Sequence, residues 1–205
     1  MKLLTSVGPN PHFVRLFMAE KGIEITQENI DIIAGENRLP AFLAINPSGA
    51  TPVLILDDGM AIAETVAICE YLEEMYPQQP LLGRTAQERA VTRMWTRRVE
   101  LGVVQPMTAG FRAAEGLPLF KDRVRCLPQA ATDLKLAASE GLAFINKQMG
   151  GKAFLAGDSL TMADLLLFAF IEFGALVGQG LDPDNSNLVA WRERMSSRAS
   201  VALCA

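Results

Sequence analysis

The chain opens on a short apolar-rich run, residues 2–7, which predicts a strand and is broken by Gly8-Pro9-Asn10-Pro11. Beyond the break, Phe13, Val14, Phe17 and Met18 recur at the spacing of one helical face, and Gly22 after Lys21 is a C-terminal stop. Asn10 is placed to cap this first helix, and Pro11 suits its first position, where a missing N–H costs nothing. A weaker strand is expected over 24–32, a short helix from Pro40 to near Asn46, and a turn at Pro47-Ser48-Gly49. The unbroken run Val53-Leu54-Ile55-Leu56 predicts a buried strand. Asp58-Gly59 is the dipeptide of a tight hairpin, so 60–63 should pair back antiparallel. Val66, Cys69, Leu72 and Tyr76 then share one face of a helix over 65–76. The order is β-α-β-α-β-β-α.

After Pro77-Gln78-Gln79-Pro80 the periodicity is helical throughout, over about 86–112, 122–148, 161–178 and 188–197. An α/β half followed by an all-helical half predicts two domains, 1–80 and 85–205. Half of the residues are apolar and 20% charged, enough to bury a sizeable core. A mean hydropathy of +0.20 raises the question of a membrane span. The most apolar stretch, Leu165 to Ile171, is bracketed by Asp164 and Glu172 and falls far short of the roughly 20 residues a spanning helix needs. It reads as a buried core helix. After Lys2 only Leu3 and Leu4 are strongly apolar before Thr5 and Ser6, so no signal peptide is expected. Cys69, Cys126 and Cys204 are isolated, and one histidine cannot complete a Cys/His metal cluster. A reducing compartment, the cytoplasm, and no structural metal follow.

The formal charge of −4 argues against nucleic acid as the main partner. It is unevenly spread. Residues 1–77 hold four basic and eleven acidic side chains, and residues 78–205 hold 15 basic and 12 acidic. Halves of opposite sign suggest domains that attract each other, within a chain or across a dimer.

Several stretches now fall into a familiar order. Ala19-Glu20-Lys21-Gly22-Ile23 closes the first helix, and Asn46-Pro47-Ser48-Gly49-Ala50-Thr51-Pro52-Val53-Leu54 leads into the third strand. Asp57-Asp58-Gly59 precedes Ile62-Ala63-Glu64-Thr65-Val66-Ala67-Ile68, and Tyr71-Leu72-Glu73 stands ahead of Tyr76-Pro77. Ala156-Gly157-Asp158-Ser159-Leu160-Thr161-Met162-Ala163-Asp164 lies in the second half. With these motifs the chain resembles the cytosolic glutathione transferases over nearly its whole length. The resemblance implies a thioredoxin-like α/β N-terminal domain that binds glutathione and an all-α C-terminal domain.

It also implies a site. In the family the bond at Thr51-Pro52 is cis, and the main chain before the proline pairs with the cysteinyl part of glutathione as one more strand would. Glu64-Thr65 stands where a strand gives way to a helix. Backbone N–H groups and the Thr65 hydroxyl there suit the γ-glutamyl carboxylate, and Glu64 the ammonium. An unperturbed thiol has a pKa near ~8.5, and lowering it by about two units takes ~2.7 kcal/mol. One hydrogen bond to the thiolate, at ~1.5–3 kcal/mol, supplies most of that. Most family members provide it from a Tyr, Ser or Cys in the first loop. Here the serine position falls on Gly8 and the cysteine position on Asn10.

The chain is therefore similar to the subgroup related to the fungal Gtt2 enzymes, in which a small residue at that position is compensated by the helix N-terminus and an ordered water. Asn10 is the best remaining side-chain contact to the thiol, with Ser6 behind it. The missing cysteine speaks against glutaredoxin-like or hydroquinone-reductase activity. Many relatives carry a lysine at Ala50 for the glycyl carboxylate; Arg38 is the nearest substitute.

His12, in the first turn of the first helix, reads as a surface or partly buried histidine. Arg89, Arg93 and Arg97 form one basic stripe, solvated or dimer-facing. Met107, Phe111 and Arg112 are the expected electrophile pocket, near the cleft between domains. Relatives of the Gtt2-like type often have histidines just after, where this chain has Ala113, Ala114 and Glu115. Thr161 with Asp164 forms a capping box of structural weight, on the order of 1 kcal/mol or more.

The function expected from the resemblance is conjugation of glutathione to small hydrophobic electrophiles, in a homodimer engaged in detoxification. Glutathione acts as co-substrate, without metal, membrane or nucleic acid. A glutathione-dependent peroxidase or isomerase is one alternative; a transferase-fold interaction protein without turnover is another.

Overall fold

The computed structural model describes residues 1–204. They divide into two compact units: Met1–Leu81 with the segment beginning at Ala199, and Leu82–Arg198.

The first unit runs β1 (Lys2–Thr5), α1 (Pro9–Lys21), β2 (Thr26–Asn29), a 3-10 turn (Glu36–Arg38), α2 (Pro40–Ile45), β3 (Val53–Ile55), β4 (Ala61–Ala63) and α3 (Thr65–Met75). The sheet order is β2-β1-β3-β4. β1 and β2 are parallel, whereas β1 with β3 and β3 with β4 are antiparallel, with Leu3 opposite Leu54 and Leu54 opposite Ile62. Successive residues of a strand face opposite sides. Leu4 and Val53 accordingly pack with Phe42 of α2, Ile30 and Ile55 on one face. Leu3 and Leu54, on the other face, are fully buried, as are Phe13, Leu16, Phe17, Ile68 and Leu72 of α1 and α3. β2 is shorter than the expected 24–32 because its residues are polar and exposed along the whole strand, an edge with no face to bury.

One local expectation is corrected. Asn10 does not cap α1. Gly8 is the N-cap, at φ 113° and ψ 170°, Pro9 takes the first helical position, and Asn10 and Pro11 follow inside the first turn. That φ is open to glycine at little cost, and the Pro9 ring sets the φ a helix needs without leaving an N–H to satisfy. At the other end Gly22 is left-handed (φ 63°), with its N–H on the Ala19 carbonyl and that of Ile23 on Met18, as a helix stop requires. A short helix α10 (Ala199–Leu203), unforeseen from the pattern, packs against α1.

The second unit holds α4 (Ala86–Val99), a π-helical stretch (Glu100–Val104), α5 (Gln105–Ala113), α6 (Leu117–Phe120), a 3-10 turn (Pro128–Ala130), α7 (Ala131–Met149), α8 (Met162–Leu176) and α9 (Ser186–Ser196). The expected helix over 122–148 starts only at Ala131. Leu127, ahead of Pro128, sits at φ −123° and ψ 74°, outside the helical region that a following proline disfavours. The expected helix over 86–112 is continuous but widens at Glu100–Val104. Pro106 has no N–H for the carbonyl four residues back, that of Gly102, and its ring crowds it. Gly141 of α7 lies against that carbonyl, so closely that a Cβ there would come 1.9 Å from the Gly102 oxygen. Gly141→Ala is therefore expected to push α7 off the π-helical stretch and destabilise the unit by about 3 kcal/mol, the upper end for overpacking, read as a lower urea midpoint. A near-unchanged midpoint would refute the packing argument.

α8 is buried all round, from Met162 to Ile171. Among the described residues no helix is long and apolar enough to cross a membrane.

Candidate functional site

Three loops meet at one end of the sheet. β1 ends there, β3 begins there and β4 ends there, since Val53 is opposite both Leu4 and Ala63. The same register sets Ser6 near Thr51, and Glu64 beside Pro52. α1 and α3 both start at this end, each with unpaired N–H groups in its first turn.

The Thr51–Pro52 peptide bond is cis, as the resemblance implied. The loop before it is braced from outside. Asn37, buried, donates from Nδ2 to the Gly49 carbonyl at 2.6 Å, and Asn46 from Nδ2 to the Ala50 carbonyl at 2.9 Å. Asn46 Oδ1 in turn accepts from the Ser48 hydroxyl at 3.0 Å. Among the described residues the Thr51 main chain takes no hydrogen-bond partner. Its hydroxyl lies 2.6 Å from that of Ser6, which is 3% exposed and also reaches the Val7 carbonyl at 3.1 Å. Arg15 ties β1 to α1 beneath them, donating to Thr5 Oγ1 at 3.0 Å and to the Ser6 carbonyl at 3.2 Å.

Glu64 is the N-cap of α3 and holds φ 70°, ψ 119°, with its side chain exposed. A non-glycine residue in that region costs on the order of 1–3 kcal/mol, and such residues gather at functional sites. Thr65 follows as the first helical residue, with its N–H unused by the helix. Gly8 is exposed, and a Cβ built on it would meet nothing within 4 Å. Asn10 is half-buried one residue inside the helix. His12 is half-buried and donates its N–H to the Gly8 carbonyl at 3.2 Å.

Arg38 lies against the loop ahead of Thr51. Its Nη1 reaches the Ser48 carbonyl at 3.4 Å, and Gly49, at φ 64°, has no side chain to collide with it. Arg38 Nε is buried without a partner among the described residues, a donor awaiting an acceptor. Of the cysteines, Cys69 is buried, and burial, then Glu73 and Glu70, pushes its thiol well up. Burial also raises Cys204, against the pull of Arg15. No group of three or more His, Cys, Asp or Glu among the described residues is placed to hold a metal.

In the helical unit Met107 is buried, accepts from Gln179 Nε2 at 3.2 Å on its carbonyl, and lines a cavity of about 290 Å³ with Leu136, Leu142 and Gln179. Phe111 and Arg112 belong to a separate aromatic cluster. Phe111 meets Phe173 edge-on at 5.0 Å, and the Arg112 guanidinium lies over Phe120 at 5.1 Å. Arg89, Arg93 and Arg97 are all exposed.

Residues 7–75 match the model of the glutathione S-transferase N-terminal domain, and residues 128–199 that of the C-terminal domain. Over 204 residues the chain is 35% identical to glutathione S-transferase 2 of Saccharomyces cerevisiae, covering 96% of this chain and 85% of the relative. The chain belongs to the glutathione S-transferase family. The crystal structure of Gtt2 from Saccharomyces cerevisiae superposes with a TM-score of 0.92 at 32% identity, covering all of both chains. This transferase is also 31% identical to maleylacetoacetate isomerase of Pseudomonas aeruginosa, over 89% of this chain and 85% of that one.

Asn37 and Arg15 were not legible as site residues. Both are single polar residues with no periodic signal, and each acts by bracing a loop whose path the sequence does not show. Asn46 stood inside a recognised motif without a role; its amide does for Ala50 what Asn37 does for Gly49.

Proposed function

We propose that this transferase binds glutathione along Thr51 and Pro52 and transfers its sulfur to small hydrophobic electrophiles. The observation that carries this is the unpaired main chain of Thr51 at the end of the sheet where α1 and α3 both begin. An extended peptide laid there gains main-chain hydrogen bonds as an added strand does. Its γ-glutamyl carboxylate then meets the free N–H groups and the Thr65 hydroxyl at the start of α3, and its ammonium meets Glu64. The Arg38 guanidinium supplies the cation for the glycyl carboxylate. The thiol faces Gly8 and Asn10, where the N-terminal dipole of α1 favours the thiolate. The protein thus binds, orients and lowers a pKa, and the thiolate attacks.

Retention on immobilised glutathione, together with turnover of a chlorodinitrobenzene substrate, tests the reading. Both are expected. Binding without turnover would leave a non-catalytic interaction protein or an enzyme for a different substrate, and failure to bind would end the proposal. The similarity to an isomerase supports a second reading, glutathione-dependent isomerisation at the same site. That reading requires turnover of a maleyl-type cis-alkene that stops when glutathione is withheld.

We place the protein in the cytoplasm as a homodimer with a detoxifying role. The exposed Arg89, Arg93 and Arg97 stripe and the opposite charges of the two halves support an electrostatic dimer. Its dissociation constant should then rise with salt; a constant that salt leaves unchanged would refute the charge argument.

A further inference from the structure

We infer that the paired hydroxyls of Ser6 and Thr51 form a relay that donates a hydrogen bond to the glutathione thiolate, taking over the role that Gly8 leaves vacant. This rests on the glutathione site proposed above.

The argument is one of counting protons. Each hydroxyl has one proton to give and two lone pairs to receive with. The two oxygens are 2.6 Å apart, so one of the two protons lies between them. The Val7 carbonyl, 3.1 Å from Ser6 Oγ, is the further acceptor that Ser6 reaches. Two arrangements follow. In the first, Thr51 donates to Ser6 and Ser6 donates to Val7, so both protons are used inward. In the second, Ser6 donates to Thr51 and the Thr51 proton is free to point away from Ser6.

The second arrangement gives up only the longer, weaker bond to Val7. An anion beside Thr51 repays that loss, because hydrogen bonds to charged acceptors are about twice as strong as neutral ones. It is strengthened again because the Thr51 oxygen is itself accepting. Ser6 is 3% exposed and so shielded from water, whereas Thr51 is half-buried, between Ser6 and the exposed Ala50. Arg15 holds the Ser6 carbonyl at 3.2 Å and Thr5 Oγ1 at 3.0 Å, which fixes the strand end that carries Ser6.

No covalent bond of the protein changes. The glutathione thiol loses its proton to solvent, and the Thr51 O–H turns from Ser6 to the sulfur as Ser6 turns from Val7 to Thr51. Thr51 is then a catalytic residue, and Ser6 a positioning residue that acts through it.

The test reads the pKa of the bound thiol from the ultraviolet absorbance of the thiolate, alongside glutathione affinity by calorimetry, in wild type, Thr51→Val, Thr51→Ser and Ser6→Ala. Thr51→Val keeps the side-chain shape and is expected to raise the bound-thiol pKa by about one unit, a roughly tenfold loss of thiolate below that pKa. Affinity measured for the protonated thiol should change little. Thr51→Ser should restore the wild-type pKa. Ser6→Ala, which leaves residue 51 intact, should raise it by a smaller amount.

An unchanged bound-thiol pKa in Thr51→Val with glutathione still bound would overturn the relay and leave the proposed site standing. A serine at 51 that fails to rescue a shifted valine variant would also overturn it. Absence of glutathione binding by the wild type would remove the site and the relay together.

Discussion

Replacing Asp164 by alanine should cost the helical unit roughly 4 kcal/mol or more of stability. The carboxylate is fully buried and collects four donors: Leu155 N–H at 2.8 Å, Thr161 N–H at 2.9 Å, Thr161 Oγ1 at 2.8 Å and Trp191 Nε1 at 3.0 Å. Burial pushes its pKa up, and the four donors pull it back. Only the first turn of α8 was expected to depend on it. The structure shows that it also holds the turn before α8, through Leu155, and α9, through Trp191. The threonine hydroxyl can rotate away, but the three N–H groups are fixed, and each left bare in the core costs about 1–3 kcal/mol. Asp164→Asn keeps the shape but turns an amide N–H₂ toward N–H donors, so it rescues only part of the loss. Urea unfolding followed by tryptophan fluorescence measures both variants. A loss near that of an exposed capping residue, about 1 kcal/mol, would show that the network carries no more than the cap.

The second large effect lies at the far end of the α/β unit from the site. Lys21→Met should destabilise by about 3–5 kcal/mol, a fall in Tm of about 10 °C for a chain of this size. The Lys21 ammonium gives its three protons to Glu73 Oε2 at 2.6 Å, the Gln78 carbonyl at 3.0 Å and the Gln79 carbonyl at 3.1 Å, and lies 5.7 Å from the centre of the Phe17 ring. The two side chains of the ion pair are 0% and 6% exposed. Taking the lysine away removes the ammonium that the nearly buried Glu73 carboxylate faces, and losing one partner of a buried ion pair costs far more than the pair is worth. The double variant Lys21→Met, Glu73→Leu should recover a substantial part of the loss. Single and double variants equally unstable would show that the lysine acts through the two carbonyls alone. The pair joins the end of α1 to α3, the two helices whose beginnings form the candidate site. It therefore also sets the spacing of the groups proposed to meet the thiol and the γ-glutamyl carboxylate.

Much of the architecture was readable because it follows from local chemistry. Asp58-Gly59 between apolar runs makes a hairpin, Gly22 ends a helix, and Glu64-Thr65 marks the step from strand to helix; these need only the backbone preferences of a few adjacent residues. The start of α1 was misplaced by two residues because Asn10 is a good cap in isolation, while Gly8 and Pro9 together make a better one. The π-helical widening at Glu100–Val104 follows from Pro106 once the helix is known to continue, but the glycine that covers it, Gly141, is 39 residues away from Gly102 along the chain. Lys21 looked like an ordinary basic residue at a helix end, and Asp164 like an ordinary cap.

What the sequence determined alone is the order of strands and helices, the family, and the residue types at the sheet end, since these depend on neighbours along the chain. What tertiary structure decided is which polar atoms are sealed from water and what they face there: Asp164 among its donors, Lys21 against Glu73, Asn37 under Gly49, and Ser6 on Thr51. A polar group's energy is set by the partners and solvent around it, and residues far apart in the chain supply those partners only after the backbone has folded.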